Sequence, residues 1–261
     1  MANIAAKQGS SNEVGALPLF FVAPKALDKN KHEHAGVKAG VMYGFSRACN
    51  SVPLNTIEFI DAVRSLPVVF TAGDNPMPAA ILGLEQQNYF VDSNGKWADH
   101  AYIPAYIRQY PFIFYNAEQE QKLILCVDEA ADHFVERTSD DDLKFFDEGE
   151  PSQLTKNALD FCKAVHAHYA ITRNFCEDLV KHQLLEPNTS EITLNTGRKM
   201  QLGGFQTISE AKVNALSDEV FLEFRKKGWL PFITLALAST SNWRNLVDLA
   251  AAREMTPQGN A

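Results

Sequence analysis

The sequence predicts an α+β fold, because strand-like segments fill the first half of the 261-residue chain and helical spacing dominates the second half. Short β-branched and aromatic runs between turn residues extend over residues 17–146, whereas residues 147–255 contain long segments with apolar residues three and four apart. We therefore expect one domain over residues 17–255, with a mixed and largely antiparallel sheet, a long helix, a β-hairpin and C-terminal helices. Residues 1–16 are small and polar, which predicts a disordered leader.

The first predicted elements are short strands with one small helix between them. VKAGVMYGFSRA (37–48) and LPVVFTAG (66–73) have the β-branched and aromatic content of strands. Between these strands, Asn55 and Glu58 have the three-residue spacing of a capping box, which predicts a helix start. Residues 74–97 are predicted to form two further strands.

The string HAYIPAYIRQYPFIFY, residues 100–115, contains four of the seven tyrosines of the chain. Pro104 suits the first position of a helix, and Pro111 disfavours helical geometry at Tyr110, so the helix is predicted to end there after about two turns. PFIFY then leaves as a strand, and KLILCVDE (122–129) is its predicted antiparallel partner across a turn at NAEQEQ.

A long helix is predicted over about residues 153–185, because apolar side chains recur there with alternating spacings of four and three. The members of this stripe are Leu154, Ala158, Phe161, Val165, His168, Thr172, Phe175 and Leu179. A helix of this length needs a long partner for its apolar face, which either the C-terminal helices or a second subunit would supply. A homodimer is therefore one of two arrangements that the stripe predicts.

Beyond this helix the sequence predicts a hairpin and three further helices. ITLNTGRKMQLGGF (192–205) places a Thr196–Gly197 tip between two strand patterns. Ser217 precedes an apolar stripe that Gly228 ends, which is the pattern of a capped helix. LPFITLALA and NWRNLVDLAAARE predict the last two helices.

The acidic balance and the short apolar runs exclude several classes of protein. A formal charge of −8 and a pI near 5.4 argue against a nucleic-acid partner and against anionic membranes, since both need clustered lysine and arginine. The longest apolar run, residues 229–238, spans ten residues, whereas a membrane helix needs about 20. The chain also starts without a long apolar segment, which predicts a cytoplasmic protein with no membrane span.

Four widely spaced cysteines and seven histidines form no metal-binding pattern. No two cysteines form a CxxC, which excludes a zinc ribbon and predicts buried, reduced thiols. His32 and His34 lie two apart in a predicted loop, but no third ligand is identifiable, and zinc sites need three or four protein ligands. We therefore expect no metal and no cofactor.

The best candidate site is an aromatic segment that consists of Trp97, Tyr102, Tyr106, Arg108 and Tyr110. The three tyrosines recur every fourth residue and share one helix face, where rigid rings offer contact area and the arginine can fork onto a carboxylate. A peptide C-terminus or an aromatic amino acid would suit this surface. The alternative is that the rings pack the helix onto the sheet, while Arg108 caps a strand carbonyl or pairs with an acid.

A second candidate row on the long helix consists of Cys162, His166, His168, Tyr169 and Arg173. Cys162 and His166 are one turn apart, but a Cys–His nucleophile also needs an orienting acid and an oxyanion hole, and the sequence reveals neither. His168 lies in the apolar stripe one turn before Thr172, so this polar pair either finds internal partners or lines a pocket. No residue is assigned a catalytic role.

Six strings of the sequence resemble the bacterial SapC family in their order along the chain. They are VPLNTIEF, LPVVF, NYFVDSNGKW, YIPAYIRQYPF, GGFQTISEAKVNALSDEVF and KKGWL. The similarity runs from about Leu17 to Arg253, with two departures. Gln109 stands where the family pattern has a second arginine, and Thr234 and Ala236 stand where relatives tend to carry an aromatic residue and a histidine. The family is named after a surface-layer-associated protein, and its members resemble accessory proteins encoded beside outer-membrane receptors, tryptophan halogenases and cupin-like oxygenases.

The aromatic segment and the resemblance together lead us to expect a non-catalytic binding or accessory protein. It would serve the modification or uptake of peptides or of amino acids such as tryptophan, and its partner would be a peptide, an aromatic amino acid or a modifying enzyme. Two alternatives remain open at this point. One is a peptide-modifying enzyme whose site assembles only in three dimensions, and the other is a structural protein associated with the S-layer at the cell surface.

Overall fold

The computed structural model describes residues 2–3, 17–40, 42–117, 122–193 and 197–255. Its strands are β1 (Ala2–Asn3), β2 (Pro24–Ala26), β3 (Gly36–Lys38), β4 (Ser51–Pro53), β5 (Val68–Thr71), β6 (Pro78–Ile81), β7 (Phe112–Ala117), β8 (Lys122–Asp128), β9 (Phe134–Val135), β10 (Asp142–Lys144), β11 (Phe146–Asp147), β12 (Glu150–Pro151), β13 (Leu185–Thr193) and β14 (Lys199–Ile208). Its helices are α1 (Lys29–His32), α2 (Phe59–Ala62), α3 (Ala105–Arg108), α4 (Gln153–Lys181), α5 (Glu210–Asn214), α6 (Asp218–Lys227), α7 (Leu230–Ser239) and α8 (Asn242–Met255). Most of the predicted leader lies outside the described residues.

The strands form one larger sheet and several small ones, which confirms the α+β prediction. The larger sheet has the order β1-β14-β5-β6-β4, with β13 also paired to β14. β2-β8-β7 and β10-β3-β9 are three-stranded sheets, and β11 pairs with β12. Among the described strands, only β1 and β14 pair parallel, so the sheets are mixed and largely antiparallel, as predicted.

Two strand predictions in the first half are wrong in part. The strand predicted over residues 37–48 ends at Lys38, because Gly40 turns the chain at a φ of 92° and a 3₁₀ turn follows at Gly44–Ser46. Residues 74–97 yield one strand, β6, and then an isolated bridge instead of a second strand. The irregular segment after β3 contributes Gly40, Tyr43 and Phe45 to the lining of the candidate site described below.

Two predicted helix starts are confirmed at the level of their capping residues. The Asn55 backbone N–H donates to Glu58 Oε2 at 2.9 Å, and this capping box starts a 3₁₀ turn that continues as α2. Ser217 Oγ accepts a hydrogen bond from the Val220 backbone N–H at 3.4 Å at the start of α6. Gly228 ends α6 at a φ of 78°, in the left-handed region that glycine adopts readily.

The helix of the aromatic segment is shorter than predicted. α3 covers a single turn, because Pro104 is its N-cap and not its first helical residue, and the chain turns at residues 109–111 directly after Arg108. The antiparallel pairing of the next two strands is confirmed, with Phe112 of β7 opposite Val127 of β8. The predicted turn between these strands falls largely outside the described residues.

The apolar stripe of α4 finds its partners within the same chain. The helix begins at Gln153 as predicted but ends at Lys181, because the chain extends into β13 soon afterwards. Fully buried Phe175 contacts four rings at centroid distances of 5.5–6.5 Å, those of Phe59, Phe70, Trp229 and Phe232. The sheet and α7 therefore share the role of partner, and a homodimer stays a prediction.

Thr172, one member of the polar pair inside the stripe, is satisfied by hydrogen bonds within the chain. Thr172 is fully buried, and its hydroxyl oxygen accepts the Thr56 backbone N–H at 3.0 Å while the hydroxyl donates to the His168 carbonyl at 2.9 Å. These bonds tie α4 to the turn at Thr56–Glu58, so Thr172 fixes the position of the helix on the first half of the chain.

The hairpin formed by β13 and β14 is confirmed and is longer than predicted. β14 enters the larger sheet beside β5, with Phe205 opposite Thr71, so the second half of the chain completes the sheet of the first half. Part of its predicted tip, residues 194–196, lies outside the described residues. None of the helices in the described part of the chain combines the length and apolar character that crossing a membrane requires.

Two clusters of buried apolar residues hold these layers together. The larger one joins the larger sheet to α4, α6, α7 and α8. The smaller one lies between β3, β7, β8 and the first half of α4, and its members are Ala35, Val37, Phe112, Leu125, Val127, Phe145, Phe146 and Cys162. The candidate site described below opens above this smaller cluster.

Candidate functional site

The three tyrosines of the aromatic segment do not form an open face, because each is half-buried and each hydroxyl is already bonded. Tyr102 donates to Glu58 Oε1 at 2.9 Å, Tyr106 donates to the Leu19 carbonyl at 3.1 Å, and Tyr110 donates to Asp128 Oδ2 at 3.2 Å. Burial is the main cause that raises the pKa of all three phenols, so they remain protonated donors.

Two buried carboxylates lie behind these rings and have their own sets of donors. Glu58 Oε1 also accepts the Ala105 backbone N–H at 2.7 Å, in addition to the capping-box bond at Oε2. Asp128 is fully buried and accepts the backbone N–H groups of Val22 and Ala23, at 3.0 and 2.7 Å. The tyrosines therefore link residues 102–110 to the segments around Leu19, Glu58 and Asp128, a packing role like the one in the alternative interpretation of the sequence.

Arg108 remains exposed while the tyrosines are engaged. Its Nε donates to the Ile103 carbonyl at 3.0 Å, its Nη2 donates to the Tyr102 hydroxyl at 3.1 Å, and the guanidinium lies 5.0 Å from the centroid of the Phe161 ring. Among the described residues, Arg108 forms no ion pair with a carboxylate. The guanidinium is thus held in place by neutral groups and keeps its charge for a ligand.

Trp97 does not lie on the surface where the sequence analysis placed it. Its side chain is 5% exposed, stacks on Phe90 at 5.9 Å and meets the edge of Tyr43 at 5.6 Å. Its indole N–H has no hydrogen-bond partner among the described residues. Trp97 therefore supports Tyr43 from behind and cannot touch a ligand at Arg108.

A cleft of about 350 Å³ opens beside Arg108, between the irregular backbone that follows β3, the segment around Tyr110 and the first half of α4. Its walls are mainly apolar and include five aromatic residues, Tyr43, Phe45, Tyr110, Phe112 and Phe161. This volume is at the lower end of the range for small-molecule sites, about 300–1,000 Å³. The cleft also reaches Cys162, so it brings Arg108 and Tyr110 together with one member of the second candidate row.

The charged side chains that line this cleft are all basic. They are Lys38 and Arg108, with His133 as the remaining titratable base, and no described residue of the lining is acidic. Burial lowers the pKa of His133, and nearby Lys38 lowers it further, which keeps the imidazole neutral at pH 7 against the opposing pull of Asp132 and Asp128. In a chain with a formal charge of −8, this local excess of positive charge favours an anionic ligand.

The chain matches the family model described as SapC over residues 27–246, most of its length. It belongs to the SapC family. No curated protein matches the chain, and no solved structure matches it either. For this SapC-family chain, the function therefore has to be argued from the cleft itself.

Apart from Cys162, the second candidate row does not reach the cleft of this SapC-family protein. Cys162 is buried in the smaller apolar cluster, and burial raises the pKa of its thiol to about 12, which disfavours a nucleophilic thiolate. His166 is exposed, with its ring edge-on to Phe114 at 6.5 Å. Arg173 pairs with Glu177 at 3.3 Å on the outer face of α4. Tyr169 is likewise exposed on α4, and His168 contributes its backbone carbonyl to Thr172.

The histidine pair near the start of the SapC-family match serves the fold. His32 is buried, and its Nδ1 lies 3.1 Å from both the backbone nitrogen and the carbonyl oxygen of Asp28. Its Nε2 donates to Glu129 Oε1 at 3.0 Å, since a carboxylate oxygen only accepts. His34 lines a larger and shallower depression of about 790 Å³, where Arg137 and Lys144 lie among three acidic side chains. Among the described residues, no group of three or more histidine, cysteine, aspartate or glutamate side chains could hold a metal ion.

We favour the smaller cleft over this larger depression, although the larger one has more than twice its volume. Opposite charges next to each other in the depression neutralise one another, and its walls offer few apolar groups to bind a ligand body. The smaller cleft combines aromatic walls with charges of one sign, which gives a ligand both binding area and orientation.

Lys38, Tyr43 and His133 are among the residues of this SapC-family cleft that the sequence analysis missed. Lys38 and Tyr43 fall in the segment predicted as one continuous strand, where Gly40 was the available signal of a turn. His133 follows β8 in a segment without any motif, and its approach to Tyr110, 5.6 Å between ring centroids, depends on tertiary structure alone.

Proposed function

We propose that this SapC-family chain is a non-catalytic binding protein, whose cleft holds a peptide or an aromatic amino acid derivative beside Arg108. The observation that carries this proposal is the pairing of aromatic walls with an exclusively basic set of charged lining groups. An aromatic or apolar ligand body would lie against Tyr43, Phe45 and Phe161, and its acidic group would bind the free side of the Arg108 guanidinium.

The protonation states of the lining groups support binding over catalysis. Burial raises the pKa of the Cys162 thiol to about 12. Burial also raises the pKa of the Tyr110 phenol, whose hydroxyl donates a hydrogen bond to Asp128. A nucleophile or an acid–base catalyst works best when its pKa lies near the operating pH. Both groups are held far from that condition by their surroundings.

A binding role agrees with an accessory function in peptide or amino-acid modification or uptake. A protein of this kind would hold the aromatic end of its target and present the rest of it to a modifying enzyme. The open side of the cleft, where Arg108 and Lys38 are exposed, leaves room for a target longer than the cleft itself.

Isothermal titration calorimetry with short peptides that end in tryptophan or phenylalanine tests this proposal. We expect saturable binding to the wild-type protein and a loss of roughly 10-fold or more in the Arg108→Ala variant, since charge-assisted hydrogen bonds contribute about 1.5–3 kcal/mol. Arg64→Ala is the matched control, because Arg64 is exposed on another surface, where its nearest carboxylate is Asp61 at 4.0 Å. The absence of saturable binding by all peptides would refute the proposal.

One observation favours an enzyme as the second candidate. His133 is neutral at pH 7 and lines the cleft, and among the described residues its ring nitrogens have no hydrogen-bond partner. A neutral imidazole in contact with a ligand can accept a proton. Mass spectrometry of bound peptides after long incubation separates the candidates, because a change in peptide mass that the His133→Gln variant abolishes would establish catalysis.

A further inference from the structure

The described residues that line the cleft beside Arg108 include basic groups that suit a carboxylate but no acidic side chain that would suit an ammonium group. We propose, on the basis of the binding function above, that the cleft selects aromatic carboxylates without a neighbouring ammonium and rejects free amino acids. The shared chemistry is that of a C-terminal peptide residue or an N-acylated aromatic amino acid. Both carry the carboxylate and the ring, and in both the α-nitrogen is an uncharged amide.

The two exposed cations of the cleft have no carboxylate partner of their own. Arg108 donates to the Ile103 carbonyl and to the Tyr102 hydroxyl, and Lys38 Nζ lies 3.4 Å from the Asp132 carbonyl. Neither cation is paired with a carboxylate among the described residues. Asp142 is near Lys38, and the pKa of Asp142 is lowered by hydrogen bonds from Ser139 and also by the Lys38 charge. A ligand carboxylate that enters the cleft would still meet two cations that form no ion pair among the described residues.

Glu58 and Asp128 are sealed behind Tyr102 and Tyr110, whereas the more accessible Asp132 and Asp142 lie near His133 and Lys38 but outside the lining of the cleft. Glu58 is 5% exposed and accepts three hydrogen bonds, from Asn55, Tyr102 and Ala105. Asp128 is fully buried, and four groups donate to it: the backbone N–H groups of Val22, Ala23 and Ala130 and the Tyr110 hydroxyl. Neither Glu58 nor Asp128 has a free and accessible oxygen for a ligand ammonium.

The zwitterion of a free amino acid is disfavoured by this arrangement. Its ammonium is fixed two bonds from the carboxyl carbon, so a carboxylate at Arg108 brings the ammonium close to the same cations. Like charges repel at that range, and the ammonium would also lose water without gaining an anionic partner. An amide N–H needs only a neutral acceptor, and the side-chain amides of Gln109 and Asn157 line the cleft.

Calorimetry with four probes tests the selectivity: N-acetyl-tryptophan, tryptophan, N-acetyl-tryptophanamide and the peptide Gly-Gly-Gly-Trp. We expect N-acetyl-tryptophan and the peptide to bind, tryptophan to bind at least about 10-fold more weakly because of its ammonium, and the amide to bind about 10-fold more weakly because it lacks the carboxylate. Tighter binding of the peptide than of N-acetyl-tryptophan identifies a peptide C-terminus as the target, and the reverse order identifies a small N-acylated amino acid.

The Lys38→Gln variant removes one cation and leaves the aromatic walls intact. It should weaken the binding of N-acetyl-tryptophan several-fold while it leaves the binding of N-acetyl-tryptophanamide unchanged, because only the former carries a negative charge. Lys38 is exposed, so the variant should fold, and circular dichroism verifies this. Lys163→Gln, at an exposed position of α4, is the control.

The results separate this inference from the proposed function. If tryptophan binds as tightly as N-acetyl-tryptophan and Arg108→Ala weakens both, then the selectivity is wrong while the binding function stands. If none of the four probes binds, then both are overturned. If N-acetyl-tryptophan and its amide bind equally, then the basic groups do not recognise the carboxylate, and the inference is also wrong.

Discussion

Arg108 is joined to Glu58 through one hydroxyl group, that of Tyr102, which accepts from Arg108 Nη2 at 3.1 Å and donates to Glu58 Oε1 at 2.9 Å. Charge on the surface of the cleft is thus linked to a buried carboxylate, and the same Glu58 caps the turn before α2. The position of the Arg108 guanidinium therefore depends on how residues 102–108 pack against the turn at Thr56–Glu58.

Removal of this hydroxyl should destabilise the protein and loosen Arg108. In Tyr102→Phe the buried Glu58 loses one of its three donors, so we expect the free energy of unfolding to fall by about 1–2 kcal/mol. Urea unfolding measures the change. Tyr169→Phe is the control, because Tyr169 is exposed on α4 and its change should stay within about 0.5 kcal/mol. Equal stability of the two variants would show that the link is not structurally important.

Asp128 should anchor the start of the described domain in the same way. The Asp128→Asn substitution places an amide NH₂ opposite backbone N–H groups, so at least one of the bonds from Val22 and Ala23 is lost. We expect faster hydrogen exchange of these two amides and a loss of roughly 2–3 kcal/mol in the free energy of unfolding. Asp132→Asn, at an exposed neighbouring position, is the control. Unchanged exchange at Val22 and Ala23 would contradict the assigned role.

His133 predicts a dependence of stability on pH. Burial lowers its pKa in the folded state, so the unfolded chain binds the proton more readily. The contribution of His133 to the free energy of unfolding is therefore fully present above the ordinary histidine pKa of about 6.5. It is lost as the pH falls through the lower pKa that His133 has in the folded protein. The groups around the ring are Lys38, Asp132, Asp128 and Tyr110.

Urea unfolding at pH 7.5 and 5.5, for the wild type and for His133→Gln, checks this dependence. The loss of stability between the two pH values should be smaller in the variant, because glutamine takes up no proton. His166→Gln provides a second comparison, since His166 is exposed on α4. An identical pH dependence of stability in the wild type and in His133→Gln would show that burial does not lower the pKa of this imidazole.

The four buried thiols should be unreactive in the native protein. Burial raises the pKa of Cys49 to about 11 and those of Cys162 and Cys176 to about 12, and it also raises the pKa of Cys126. For a pKa of about 11, the thiolate fraction at pH 8 is roughly one in a thousand. We expect a disulfide reagent such as DTNB to modify all four at once in denaturant and none of them rapidly without it. Fast modification of Cys162 alone would instead revive the nucleophile hypothesis.

Local sequence signals predicted those elements whose determinants are close in the chain. The capping box at Asn55 and Glu58, the cap at Ser217 and the stripe of α4 depend on side chains three or four residues apart, and each is confirmed. The strand predicted over residues 37–48 is wrong beyond Lys38, because the β-branched composition outweighed the turn at Gly40.

Such local signals could not predict the cleft, because residues that are far apart in the sequence form it. Arg108 and Phe161 are 53 positions apart, and His133 reaches Tyr110 from the end of another strand. The sequence analysis singled out Arg108, which lines the cleft, but grouped it with the three tyrosines of its own segment. Those tyrosines have carboxylate or carbonyl acceptors from distant segments, and only tertiary structure supplies these acceptors.

The contact between Arg108 and Phe161 should contribute to binding more than to folding. The guanidinium lies 5.0 Å from the centroid of a half-buried ring, a geometry in which a cation–π interaction contributes about 0.5–1 kcal/mol. In Phe161→Leu, an apolar side chain is kept while this interaction and one aromatic wall are lost. We expect N-acetyl-tryptophan to bind about 3- to 10-fold more weakly, with a small change in stability. Phe221→Leu, at an exposed position of α6, is the matched control and should leave the affinity unchanged. Equal affinities in the two variants would mean that Arg108 is oriented by its hydrogen bonds to Ile103 and Tyr102 alone, and that the ligand body lies elsewhere in the cleft.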